Sequence, residues 1–552
     1  MEVSAEPANG SVGFTGKRIE VTFNEYLQLD NPSQNLLMSP PQQTPPEVKA
    51  RGKRLLIQFA DSLRENTTYT LDFGNAVCDY TERNPQPNYT YSFSTGEVID
   101  TLEVRGRVYD AENLNPVKGM LVGIHDDLND SAFVFAPFLR IAKTDSTGAF
   151  RIANMRAGDY RIYAIDDISR DYRLTIGEAL AFDEAILTPE VRPHYHTDSL
   201  GRDSLVGYEY GPADIVLWLF REKQQRLYMQ RTTRDKQQTV CVSFSAAPDS
   251  LPTFRALNDS VQFHVHYSAK GDSAMIWLPD SFSIHQDSLL FEVRYRATDS
   301  LFHLEWLTDT IRAIYRAPKL SAKALKAQAR KDKRRRLELR SNAKNGFELN
   351  DTLRITCTTP LARIAVDSMH LFEKKDSIYK HVPFTLAPYD TLPMSLTILA
   401  KLAAGKQYEL RVDSAALHDM YGAPNNPARY TLEMKKPEEY STLKVTLNPF
   451  VANARIQVIN AQDKIVRELP AKEEGSLFQY LKPDTYYLRM YIDADGDGAW
   501  TTGSWTEKRQ PERVYYFPEK IQTKSNWDFE EVWDYTAVEQ TLSKPMELRG
   551  KK

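Results

Sequence analysis

Cysteine is scarce, with Cys78, Cys241 and Cys357 the only three in 552 residues. They lie far apart, without a CxxC pair or a Cys/His zinc spacing, which excludes a disulfide framework and a zinc knuckle as the organising device. Long apolar runs are absent, and none approaches the ~18–20 residues of a membrane-spanning helix. There is no basic excess either: 70 Lys and Arg stand against 74 Asp and Glu, a formal net charge of −4, so no global field draws the chain to nucleic acid. Catalytic signatures are missing too. The sequence holds no GxSxG elbow, HExxH helix, Walker loop or GxGxxG turn, and neighbouring acids such as Asp126/Asp127 or Glu530/Glu531 carry no weight among 74. The expectation is a protein that is not an enzyme. The opening residues MEVSAEPANGS contain no basic n-region, apolar stretch or cleavage site. They read either as a cytosolic start or as a sequence whose targeting segment is not included.

What is present is period-2 alternation, the pattern of strands with one buried face. Ile19, Val21 and Phe23 alternate with Glu20 and Thr22; the sets Leu55/Ile57/Phe59, Tyr69/Leu71/Phe73 and Tyr89/Tyr91/Phe93 follow. Turn signals separate them, among them Asn9-Gly10, Pro40-Pro41 and Pro45-Pro46. Short strands without strong helices between them predict an all-β protein of tandem β-sandwiches. Residues 1–97 form the first unit. A second, 101–192, runs from Val104 and Val108 to a closing segment at 180–189, and 193–318 reads as a third sandwich without a distinctive motif.

The period then changes. Residues 319–345 are rich in Ala, Leu, Lys and Arg, carry a local charge of +9 over 319–344, and predict a solvated basic helical linker. Beyond it the first half recurs as units 346–436 and 440–540. Thr67-Thr68-Tyr69-Thr70-Leu71 is echoed by Gln407-Tyr408-Glu409-Leu410, and Asn75–Tyr80 by Ala415–Tyr421. Tyr160 precedes Asp167-x-Ser169-x-Asp171 by seven residues; Tyr486 precedes Asp493-x-Asp495-x-Asp497 by the same seven. Repeated order and spacing predict an internal duplication.

Three segments carry a resemblance to known families. Glu6-Pro7-Ala8-Asn9-Gly10-Ser11 with Phe14–Glu25 resembles the bacterial Ig-like domain of S-layer-type proteins. Val104–Asp110 with Pro116-Val117, Gly148-x-Phe150 and Ala157-Gly158-Asp159-Tyr160 resembles a transthyretin-like or carboxypeptidase-regulatory-like module. Asp493–Trp500 with Gly503 and Arg509-Gln510-Pro511-Glu512 is similar to the end of Bacteroidota Ig-like lipoproteins. The resemblance implies an outer-membrane lipoprotein anchored through an N-terminal lipidated cysteine, although this sequence includes neither signal peptide nor lipobox. It implies a structural scaffold or accessory subunit, with other envelope proteins as partners. A cell-surface glycan-binding protein is the competing expectation.

The sharpest chemical candidate is the Asp493, Asp495, Asp497 series, three carboxylates at alternate positions turned by Gly496 and Gly498, suited to converging oxygens on calcium. The twelfth position is Ser504 rather than Glu and the flanks read as strands, so the series reads as a calcium loop of a kind other than the EF-hand; Glu507 is a conceivable extra ligand, and the competing reading is a polar turn. Such an ion would brace a loop, not catalyse. His194/His196 and His264/His266 are spaced to share a strand face, but without a third ligand they read as ordinary surface or core residues. Lys333–Arg336 reads as a solvated face, with an acidic partner or membrane surface as the alternative. Trp500, Trp505, Trp527 and Trp533 concentrate near the C-terminus, where they are expected in a core or on a binding surface.

Overall fold

The computed structural model describes residues 2–197, 203–222, 227–258, 260–279, 281–299, 304–316 and 335–549. Nearly every regular element in them is a strand, as the alternation requires. In the first unit Glu2–Glu6, Arg18–Phe23, Arg54–Gln58 and Glu47–Arg51 pair in that order, facing a sheet of Leu37–Ser39, Thr68–Asp72 and Thr90–Ser94. The alternating residues meet between the sheets: Ile19, Val21, Leu55, Ile57, Tyr69, Leu71, Tyr91 and Phe93 are all buried.

The second unit has Ala149–Met155, Leu102–Asp110 and Ile215–Leu219 in one sheet. Its other sheet orders Arg140–Lys143, Leu121–His125, Arg161–Ile165 and Leu180–Phe182. Here the structure departs from the expected boundary at 192. Ile215–Leu219 lies parallel to Leu102–Asp110, with Gly106 opposite Ile215, so it belongs to the second sandwich rather than the third. Gly106 permits the close approach, since a Cβ there would lie 2.3 Å from the Ile215 carbonyl oxygen. Among the described residues, the intervening strands Glu190–Thr197 and Asp203–Gly211 pair only with each other, as a two-stranded ribbon. Parallel pairing needs a crossover, which no local pattern in 190–220 announces.

The third unit packs Met229–Lys236, Thr239–Phe244, Ser273–Trp277 and His264–Tyr267 over Thr253–Ala256, Ser288–Thr298 and Leu304–Ile314. Of the expected basic linker, 319–334 lie outside the described residues. Its last part is corrected: Leu339–Ser341 and Asn345–Phe347 are strands, and Leu337 is buried in the following core. Leu337-Glu338-Leu339-Arg340 alternates with period 2, and burial of its apolar face overrides the helical propensity of the residues before it.

The two halves repeat one topology. The order Leu339–Ser341, Leu353–Cys357, Ser395–Ala400, Phe384–Leu386 repeats the first sheet of the first unit. The second unit recurs as Ser476–Leu481, Ser441–Leu447 and Asp528–Trp533, again with a parallel final strand. It is completed by Ile465–Pro470, Ala454–Asn460, Thr485–Ile492 and Val514–Tyr516. A side-chain detail repeats too: Tyr160 Oη donates to the Arg156 carbonyl and Tyr486 Oη to that of Lys482, each at 2.9 Å and each four residues back.

Specific contacts join the units. Buried Arg140 of the second reaches the Thr68 carbonyl of the first at 2.8 Å, while Ile141 N–H donates to Ser39 Oγ at 3.0 Å. Glu348, in the second Ig-like copy, accepts from Tyr440 Oη at 2.7 Å and pairs with Lys482 of the last unit at 2.9 Å. Lys544 is buried between the second unit and its repeat, the last unit. Its Nζ donates to Asp463 Oδ2 and to the Asn113 carbonyl, both at 2.8 Å.

Two predictions follow from these junctions. Lys544→Ala leaves Asp463 buried without its cation and should cost about 3–5 kcal/mol in urea denaturation followed by tryptophan fluorescence. Burial opposes ionisation of Glu348, but hydrogen bonds from Tyr440, Lys482 and Lys435 outweigh it and bring the carboxyl down to about 2. A lowered carboxylate pKa contributes stability that is full above the ordinary value and lost as pH falls toward the folded one. The stability advantage of wild type over Glu348→Gln should therefore be constant from pH 7 to about pH 5 and vanish near about pH 2.

Candidate functional site

The Asp series opens the loop of residues 493–513 between Thr485–Ile492 and Val514–Tyr516. The loop closes on itself through carboxylates. Asp493 accepts the N–H groups of Gly496 at 2.8 Å and Gly498 at 3.0 Å. Buried Glu512 accepts those of Ala494 at 2.6 Å and Thr501 at 2.9 Å. Asp493, Asp495 and Glu512 thereby each bring one oxygen within 4.8 Å of the others. Asp497 is not in this group; it is exposed and caps Ala499 N–H at 2.7 Å. Nor is Glu507, which faces Arg509. The sequence reading thus placed two of the three clustered acids and missed Glu512. Its signal was the repeat, since Glu178 occupies the matching place in the first copy.

The two copies balance charge differently. In the first, Glu178 accepts the N–H groups of Ile168 at 2.8 Å, Ser169 at 3.0 Å and Thr175 at 3.1 Å, and Arg173 pairs with Asp171 at 2.8 Å. Burial, then the Glu178 charge, raises Asp167. In the second, no ion pair to Asp493, Asp495 or Glu512 is formed among the described residues. Burial raises the Glu512 carboxyl, and the Asp495 and Asp493 charges add to it against the pull of the Thr501 and Ala494 N–H groups. The Asp497 N–H, by contrast, lowers Asp495. A divalent cation held between the three hard oxygens would relieve the cost of ionising Glu512.

The same loop carries the contact between the second unit and the last, its repeat. Trp505 stands edge-on to Phe133, Phe182 and Tyr163 of the first copy at 4.9, 5.3 and 5.7 Å between ring centroids. The Trp505 backbone N–H donates to Glu222 Oε1 at 2.6 Å, Thr502 Oγ1 donates to the Arg221 carbonyl at 3.0 Å, and Gln510 Nε2 to that of Phe182 at 2.9 Å. Gly503 lies against Phe220, where a Cβ would come within 2.6 Å of the ring. Trp500 packs into the same contact, Trp533 is buried in its own core, and Trp527 is 56% exposed.

The remaining candidates are spread out. His194 pairs with Glu209 at 2.9 Å, and the His196 side chain lies outside the described residues. The His264 and His266 rings are 4.9 Å apart, with His266 Nε2 on the Leu392 carbonyl at 2.7 Å; burial, then His266, lowers His264. Of the basic cluster, Lys333 and Arg334 lie outside the described residues, while Arg335 pairs with Asp419 at 3.2 Å and stacks on Tyr421.

The carboxylate cluster gives a direct prediction. Millimolar calcium should raise the melting temperature relative to chelator by ligand linkage, and Asp495→Asn should abolish the increment. Asp495 is the variant to use, because it is exposed and its one backbone bond, from Asp497 N–H at 3.2 Å, can pass to the Asn carbonyl oxygen, whereas Asp493 and Glu512 each hold two N–H groups from buried positions. An unchanged melting temperature leaves the cluster as a hydrogen-bonded turn.

Among solved structures the chain is similar to the N-terminal part of the bacterial S-layer protein SbsC, at 12% identity over 31% of this chain and 44% of that chain, TM-score 0.17. Domains 1–6 of surface layer protein SbsC match at 11% identity over 88% of this chain and 63% of that one, TM-score 0.14. The chain thus spans less than two thirds of either SbsC chain. The Bacteroides ovatus mixed-linkage glucan utilization locus SGBP-B, in complex with mixed-linkage heptasaccharide, matches at 8% identity over 76% and 94%, TM-score 0.16. No curated protein matches the chain. The family model that matches is the bacterial Ig-like domain, over residues 3–95, the sandwich built on Arg18–Phe23 and Thr68–Asp72.

Proposed function

We propose that this protein is a non-catalytic accessory subunit of a cell-envelope protein complex, held at the outer membrane by a lipid anchor, with other envelope proteins as partners. The Ig-like domain and the locked tandem sandwiches support a structural role. The observation that carries the reading is the ribbon Glu190–Thr197/Asp203–Gly211. Tyr195, Leu205, Val206 and Tyr208 on it are 54%, 51%, 64% and 60% exposed. A two-stranded ribbon gains little stability of its own, and apolar side chains clustered on one are characteristic of a docking surface. In the same reading, calcium at Asp493, Asp495 and Glu512 is a structural ion that stiffens the loop behind Trp505.

Tagged native protein, extracted gently from the outer membrane, should bring down a stoichiometric set of membrane proteins. The Val206→Asp/Tyr208→Asp double variant should lose them while its stability stays within ~0.5 kcal/mol of wild type, since both sites are exposed. Recovery of the wild-type protein alone would refute the subunit reading. A second reading, surface glycan binding, is favoured by exposed Trp527, which stacks on Phe529 at 6.2 Å and 27° and offers a face to a sugar ring. Glycan arrays with wild type and Trp527→Ala separate the two.

A further inference from the structure

We propose that His264 and His266 of the third unit, closed by Asp390 of the fourth, form a zinc site that clasps the two units together. His264–Tyr267 is an edge strand of its sheet, and Val265 packs inward against the core. Alternation therefore puts both imidazoles on the outer face. Their ring centroids are 4.9 Å apart, with an angle of 71° between the planes. Zinc–nitrogen bonds of ~2.0–2.1 Å set the centroids of two imidazoles on one tetrahedral ion about 5 Å apart. The pair already has the spacing of two ligands on one ion.

The fourth unit supplies the rest. Its segment 387–394, between Phe384–Leu386 and Ser395–Ala400, meets the histidines, with the Leu392 carbonyl 2.7 Å from His266 Nε2. A carbonyl only accepts, so Nε2 carries the proton and Nδ1 of the neutral ring keeps its lone pair. A ring N–H tied to a backbone carbonyl is the arrangement that orients a histidine ligating metal through its other nitrogen. The His264 side chain has no hydrogen-bond partner among the described residues. Trp277, directly opposite it on the neighbouring strand, is buried, so this face is shielded from water. Two residues before Leu392, Asp390 is exposed and near enough for its charge to act on His264. The three side chains are not drawn within 4.8 Å of one another as Asp493, Asp495 and Glu512 are, so closing the site takes a rotation of the exposed Asp390 side chain. Two imidazoles and a carboxylate are a donor set for zinc, whereas the all-oxygen cluster suits calcium.

The inference uses no residue of the ribbon and does not depend on the accessory-subunit reading. Calorimetric titration of the full chain with zinc chloride tests it, alongside the Asp495→Asn variant. One zinc should bind with the same micromolar affinity in both. His264→Gln and His266→Gln should each weaken it about tenfold or more, and Asp390→Ala about tenfold. Melting temperatures in chelator should stay unchanged, since Gln at 266 can still donate to the Leu392 carbonyl and Asp390 is exposed. No binding at millimolar zinc, binding indifferent to both histidine substitutions, or binding lost with Asp495→Asn would overturn the site. Binding that needs the histidines but is indifferent to Asp390→Ala would overturn the clasp between units.

Discussion

The insertion of Trp505 among Phe133, Tyr163 and Phe182 is the contact on which the arrangement of the two halves depends. An aromatic side chain buries a large area, but only if its backbone is held in place. Here the backbone belongs to a long loop without regular structure, and carboxylates hold it. Asp493 caps the turn at Gly496 and Gly498, and Glu512 ties Ala494 to Thr501. Trp500 Nε1 then donates to the Glu512 carbonyl at 3.0 Å, linking the acidic end of the loop to its aromatic end. The metal candidate and the inter-unit contact are therefore one construction.

The Lys544–Asp463 pair secures the same junction from the other side. Both side chains are buried, Tyr516 Oη lies 3.2 Å from each Asp463 oxygen, and a second Lys544 donor goes to the Asn113 carbonyl of the partner unit. A buried ion pair adds little stability over an apolar contact, but it tolerates only one geometry. Its value here is register: it fixes how one copy sits on the other, while the aromatic contact supplies the apolar burial.

Duplication explains much of the rest. The second and last units share strand order, the tyrosine bonded four residues back, and a buried glutamate beneath an acidic loop. They diverge where function is expected to. The first loop carries Arg173 against Asp171 and lines a cleft with Arg64 and Arg170; in the second, Asp493, Asp495 and Glu512 form no ion pair among the described residues, and the loop extends into the Trp505 contact.

The sequence by itself determined that the protein is all-β, which residues face the cores, and that its halves repeat. These properties follow from period-2 alternation and spacing, which are local. It also placed Asp493 and Asp495. What only the tertiary structure decided involves pairing across long separations. Ile215–Leu219 joins a strand about a hundred residues earlier, Leu337 and Leu339 turn from an expected helix into a sandwich, and Glu512 rather than Asp497 completes the acidic cluster. Arg64 and Arg170 share a cleft only because two units pack side by side. Local patterning fixes which face of a strand is buried, but parallel partners and inter-unit contacts depend on which surfaces remain to be covered once each sandwich has formed.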